Sequence, residues 1–124
     1  MDVKIIEKIK PGAKVKVHTI VAADSSLAPD TKKGKADKKA VARGGTSIFE
    51  GLVLARKHGK EAGATFTVRS VLAGVGVEKV FPIHSPMISK VEIMSSPKKV
   101  HRSKLYFVRS SSSSKIRQRL GVSL

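Results

Sequence analysis

Thr65-Phe66-Thr67-Val68-Arg69-Ser70-Val71-Leu72 and, after Ala73-Gly74, Val75-Gly76-Val77-Glu78-Lys79-Val80-Phe81 form the stretch that decides the fold. Both runs are short, rich in β-branched and aromatic residues, and separated by a glycine-bearing junction, which is the pattern of strands and not of a helix. The same texture repeats outward. Segments 47–54 (SIFEGLVL) and 88–94 (ISKVEIM) read as strands, with Gly59, Gly63, Pro82 and Pro86 among the punctuating residues. Further upstream, Lys14, Lys16 and His18 alternate with Val15, Val17 and Thr19, a half-buried strand. Residues 99–108 (KVHRSKLYFV) read as one more, with Leu105 and Phe107 on one face and Arg102, Lys104 and Tyr106 on the other. Several short strands at close spacing predict a mostly β protein, a small barrel or sandwich.

The flanks break this pattern. Residues 2–10 (DVKIIEKIK) predict a short helix with Asp2 as N-cap and Ile5, Ile6 and Ile9 on one side, ended by Pro11 and Gly12. Residues 24–45 have no periodicity and carry Lys32, Lys33, Lys35, Lys38, Lys39 and Arg43. Such a segment cannot bury enough apolar surface to fold alone, so a long basic loop is expected. Ser110 to Ser114 is a run of serines that reads as a flexible joint. Beyond it, 115–120 (KIRQRL) predicts a short helix bringing Ile116 and Leu120 together. The expected organisation is a barrel domain at 1–109, interrupted by the loop at 24–45, and a basic tail at 110–124.

Charge states the function class. The chain has 124 residues, 25 Lys and Arg against 9 Asp and Glu, and a formal net charge of +16. Self-repulsion on that scale costs stability unless a polyanion relieves it, and a line of phosphates is the simplest such partner. After Glu92 no acidic residue occurs, while Lys98, Lys99, Arg102, Lys104, Arg109, Lys115, Arg117 and Arg119 all follow. The basic loop and tail therefore read as RNA-binding extensions that order on a phosphate backbone. The absence of cysteine excludes disulfides and thiolate zinc sites. Neither a signal peptide nor an apolar span is evident, so a cytoplasmic protein without membrane partners is expected.

Catalytic constellations are weak. His84 and Ser85 adjoin, but an acyl-transfer site needs an orienting carboxylate that only Glu78 or Glu92 could supply, and nothing in the spacing demands it. Gly74-Val75-Gly76 lacks the third glycine and following helix of a dinucleotide loop. His18, His58, His84 and His101 show no metal-ligand spacing. Glu50 and Glu78 read as sheet residues paired with Lys or Arg. Phe49, Phe66, Phe81 and Phe107 read as core, leaving Tyr106 as the aromatic nearest to RNA. No enzyme, cofactor, metal or small-molecule substrate is expected.

The ordered motifs resemble those of the bacterial large-subunit ribosomal proteins of the L-nineteen family. The resemblance runs through Lys10-Pro11-Gly12-Ala13-Lys14-Val15-Lys16-Val17 and Ile48-Phe49-Glu50-Gly51-Leu52-Val53-Leu54 to Thr65-Phe66-Thr67-Val68-Arg69 and Gly74-Val75-Gly76-Val77-Glu78, and on through Phe81-Pro82-Ile83-His84-Ser85-Pro86 to Lys99-Val100-His101-Arg102 and Lys104-Leu105-Tyr106-Phe107. It covers residues 10–23 and 47–109, with a shorter N-terminal helix and a longer loop than is usual in the family. It implies an SH3-like barrel that binds large-subunit rRNA, touches neighbouring ribosomal proteins, and meets small-subunit rRNA at an intersubunit bridge. It places RNA contacts at Arg69, Lys79, His84, Ser85, Lys99, Arg102 and Lys104, with His101 in the same motif. A free RNA chaperone or regulator of the same fold is the alternative, and a hydrolase built on His84 and Ser85 is the remote one.

Overall fold

Period-two patterning becomes a ladder wherever one side of a segment can be buried, and five segments here meet that condition. The computed structural model describes residues 3–21 and 45–122. In chain order these form α1 (Val3–Lys8), β1 (Lys14–Ile20), β2 (Thr46–Lys57), β3 (Thr65–Leu72), β4 (Val75–Pro82), β5 (Ile88–Ser95), a 3-10 turn (Tyr106–Arg109) and α2 (Ser113–Leu120). The strands make one antiparallel sheet in the order β4-β3-β2-β1-β5. No ladder joins its edge strands β4 and β5 among the described residues, so the sheet is open.

The first core sits on one face of this sheet. Val15 and Val17 come from β1, Phe49 and Val53 from β2, Phe66 and Val68 from β3, Phe81 from β4 and Ile88 and Val91 from β5. Edge and central strands share these neighbours because the sheet curls. Phe66 and Phe81 stack at 5.5 Å between ring centroids, and Phe49 tilts against Phe81 at 6.1 Å. Ile6 of helix α1 and Ile9 just past its end are buried in the cluster, and Ile5 packs partly buried against it. Six residues are too few for a stable isolated helix. The Arg56 guanidinium supplies the missing tether by donating to the carbonyls of Ile6 (2.6 Å) and Ile9 (3.3 Å).

Strand β2 carries two different neighbourhoods. Up to Leu52 it pairs with β1, and from Leu52 onward with β3. Next to this changeover, at Gly51, a Cβ would collide with the Arg69 carbonyl oxygen of β3 and lie 2.9 Å from a Val68 methyl. Beyond it, Leu52, Val53, Leu54 and Ala55 are all buried, because both faces of the strand are covered. Val53 points to the first core. Leu52 and Leu54 point to a second core with Leu105, Val108, Ile116, Leu120 and Val122. A register shift between Val53 and Ala55 puts Ala55 on that second side as well.

The C-terminal segment corrects two expectations. Residues 99–108 do not form a strand: only Lys104 bridges to Ala55, and Tyr106–Arg109 turns as a 3-10 helix. Three residues per turn place Leu105 and Val108 on one side, and these two are buried while Phe107 is half-buried. The serine run is not a free joint either. Ser112 is the N-cap of α2, and Ser113 begins the helix, which ends at Gly121 with a left-handed φ of 69°. Ile116 and Leu120 do meet on one face. The basic loop lies outside the described residues apart from Gly45, whose carbonyl accepts the Val21 N–H at 2.8 Å.

Candidate nucleic-acid interface

A cation already matched to a carboxylate has less to offer a phosphate, so the ion pairs sort the basic residues. On the sheet and its turns several cations are matched, while Lys16, Lys57 and Lys79 have no carboxylate partner among the described residues. Lys14 pairs with Glu50 at 3.0 Å, Lys90 with Glu92 at 2.6 Å, and Lys60 with Glu7 at 2.6 Å. Arg69 and Glu78 face each other across β3 and β4 and bond at 2.8 Å. Arg109 adds a two-pronged contact to the same carboxylate at 2.7 and 2.8 Å. Hydrogen bonds from Arg109, then from Arg69, hold the Glu78 carboxyl below the usual carboxylate range against the opposing effect of burial. Lys60 does the same for Glu7 and Lys90 for Glu92. Glu50 and Glu78 are therefore paired with Lys and Arg, as expected of sheet residues.

The chain from Pro97 to Lys104 and helix α2 behave differently. Lys98, Lys99, Arg102, Lys104, Lys115, Arg117 and Arg119 have no carboxylate partner among the described residues. Two adjoining clefts run along this segment, of about 590 and about 370 Å3, and both are lined by Lys99, Val100 and Arg102. Lys10, Arg56 and Lys98 extend the first, and His101 and Arg119 the second. No acidic side chain lines either cleft. A third cleft of about 550 Å3 lies between β2 and β3, but both its cations, Lys14 and Arg69, are ion-paired.

The backbone fixes this basic segment although it is irregular. The Leu105 N–H donates to the Leu54 carbonyl at 2.8 Å, and the Lys98 N–H to the Leu120 carbonyl at 3.3 Å. Pro97 and Val100 close over Gly12, where an added Cβ would come within 3.1 Å of the proline ring. That contact brings Lys10 beside Lys98. Arg56 anchors the other wall through α1 and through a 2.8 Å bond to the Gly59 carbonyl.

Of the residues singled out from sequence, the structure brings Lys98, Lys99, His101, Arg102 and Arg119 together around the clefts. Lys99 sits on irregular chain, not on the strand expected over 99–108, as does Lys98 just before it, and Lys104 is held by an isolated bridge. Lys115 and Arg117 are exposed on α2 but line neither cleft. Arg69 and Arg109 converge on Glu78. Exposed Lys79 places its ammonium 4.8 Å from the Phe49 ring centroid. His84 and Ser85 sit in the turn between β4 and β5, where the Ser85 hydroxyl accepts the Met87 N–H at 3.3 Å. No carboxylate bonds to His84 among the described residues, and no group of side chains there could hold a metal ion. Lys32, Lys33, Lys35, Lys38, Lys39 and Arg43 lie outside the described residues. Sequence reading missed Lys10 and Arg56, because no local pattern reveals that Gly12 packs on Pro97.

Fold and charge together define a small, strongly basic β protein with two adjoining clefts, lined by unpaired cations and no carboxylate, along residues 97–104. Residues 31–119, well over half of the chain, match the model of the family described as ribosomal protein L19. A relative from Anaeromyxobacter sp. (strain Fw109-5), the large ribosomal subunit protein bL19, is 36% identical over 86% of this chain and 66% of its own length. The protein of the same name from Treponema denticola is 55% identical over 50% of each chain. The chain thus spans about two thirds of one relative and half of the other. It belongs to the ribosomal protein L19 family, which is structural and not enzymatic. No helix among the described residues is long and apolar enough to cross a membrane.

Proposed function

We propose that the chain is a structural constituent of the large ribosomal subunit in the bacterial cytoplasm, where it binds rRNA through the basic clefts at 97–104 and Arg119. The observation that carries this reading is the pair of adjoining clefts lined by Lys98, Lys99, Arg102 and Arg119, none of them ion-paired among the described residues, with no carboxylate in either lining. Affinity then comes from counterion release and specificity from the folded shape of the RNA. The curled sheet with one shared core supports an SH3-like barrel. Family membership supports neighbouring ribosomal proteins as further partners and small-subunit rRNA as a partner at an intersubunit bridge. The loop cations from Lys32 to Arg43 and the α2 cations extend the same RNA footprint.

Titrating large-subunit rRNA against salt tests the reading. Replacing both Lys99 and Arg102 with Ala should weaken binding and reduce the slope of log affinity against log salt by about 0.7 to 0.9 for each phosphate left without its cation. Lys90→Ala, which removes a paired cation, should leave the slope nearly unchanged. Equal slopes for all three proteins would sink the assignment of the clefts.

A further inference from the structure

The smaller cleft has a composition that phosphates alone do not explain. Its floor is apolar, made by Val100, Leu105, Phe107 and Leu120, while Lys99, His101, Arg102 and Arg119 stand around it. Leu105 and Leu120 belong to the second core, and Phe107 packs against that core while remaining half-buried. The guanidiniums of Arg119 and Arg102 lie 5.3 and 6.0 Å from the centroid of the Phe107 ring. Two like charges over one ring repel unless an anion joins them, and no carboxylate does so among the described residues. A backbone phosphate would satisfy the guanidiniums. It would gain nothing from the apolar floor below them.

We infer that this cleft receives the base of a single unpaired nucleotide, held over the Phe107 side of the cleft, with its flanking phosphates on Lys99, Arg102 and Arg119. The inference rests on the reading of the chain as an RNA binder and names the feature of the RNA that it selects. An extrahelical base presents an aromatic face with phosphates on either side, which matches an apolar floor inside a cationic rim. Guanidinium planes and aromatic rings are the groups on which splayed bases stack. A volume of about 370 Å3 leaves room for one base. A continuous duplex would touch the rim only and leave the floor in water.

The test compares two RNA hairpins that differ by one bulged nucleotide, bound to the full chain at several salt concentrations. The bulged hairpin should bind about tenfold or more tightly, as expected for one stacked base. Phe107→Leu keeps apolar contact but removes the ring face and should abolish the preference. Arg119→Gln, on the exposed helix surface, should reduce the preference without touching the core. Lys98→Gln, outside this cleft, should weaken both hairpins equally. Equal affinity for the two hairpins, or a preference unchanged in Phe107→Leu and Arg119→Gln, overturns the inference while leaving the RNA-binding reading intact. If neither hairpin nor rRNA binds with a salt-dependent affinity, both fall together.

Discussion

The two sides of β2 were built by different rules. On one side lies a core of alternating strand residues, with Val15, Val17, Phe66, Val68 and Phe81 meeting around Val53. Three of the basic residues around that core are paired with Glu50, Glu78 and Glu92. On the other side, Leu52 and Leu54 meet a segment without strand alternation, in which Arg109 is paired with Glu78 while Lys98, Lys99, Arg102 and Arg119 have no carboxylate partner among the described residues. The contrast teaches a division of labour within one small chain. The sheet builds its own core; the C-terminal segment borrows the back of β2 for order and leaves most of its cations for a partner. Apolar anchoring and charge presentation are interleaved in the same residues there, since Leu120 is buried beside exposed Arg119.

The contrast can be broken by truncating each core in turn. Phe66→Ala, at the centre of the aromatic cluster, should cost about 3 to 5 kcal/mol in denaturant unfolding and remove both regions together. If the C-terminal segment kept native signals in that variant, the dependence on β2 would be wrong. Leu120→Ala should cost roughly 2 to 4 kcal/mol and act mainly on one side. Amide exchange should then speed up at 98–105 and in α2, while β3 and β4 stay protected. Equal loss of protection in both regions would mean that the two cores are a single unit.

Smaller effects sharpen the comparison. The Glu78 carboxyl is held low by Arg109 and Arg69, so its contribution is present above the ordinary glutamate range and disappears as pH falls through its lowered value. Glu78→Gln should therefore lower the Tm at neutral pH, and the gap from the parent should close on acidification. A gap that stays constant with pH would show that the ion pairs do not link the 3-10 turn to the sheet. The smallest change is at the hairpin between β3 and β4, where Ala73 and Gly74 both have positive φ, 50° and 79°. Only glycine takes that conformation without strain, so Ala73→Gly should stabilise the sheet by up to about 1 kcal/mol and leave RNA affinity alone.

The sheet was legible because each of its strands has one face in the first core. The segment 65–72 matches β3 residue for residue, and of the isoleucines marked by the helical spacing Ile6 and Ile9 are buried and Ile5 partly so. Strand β2 ran past its expected end at Leu54 to Lys57, since its second half is buried on both faces and shows no alternation. The C-terminal segment misled for a related reason. Leu105 and Phe107 alternate in sequence, yet pairing with β2 stops at the single Lys104–Ala55 bridge, and the 3-10 turn buries Leu105 with Val108. The cations of the candidate interface were legible one by one from the missing acidic residues. Their grouping was not, because it depends on Gly12 meeting Pro97 and on Lys98 meeting the end of α2.

The hydrogen bond between Val21 and Gly45 has an architectural consequence. It continues the β1–β2 ladder to the point where the chain departs and returns, so the two ends of the intervening segment are joined by the sheet itself. The alignment of β1 with β2 is therefore set by the strands themselves and by the bond that closes them, and not by the number of residues between Val21 and Gly45.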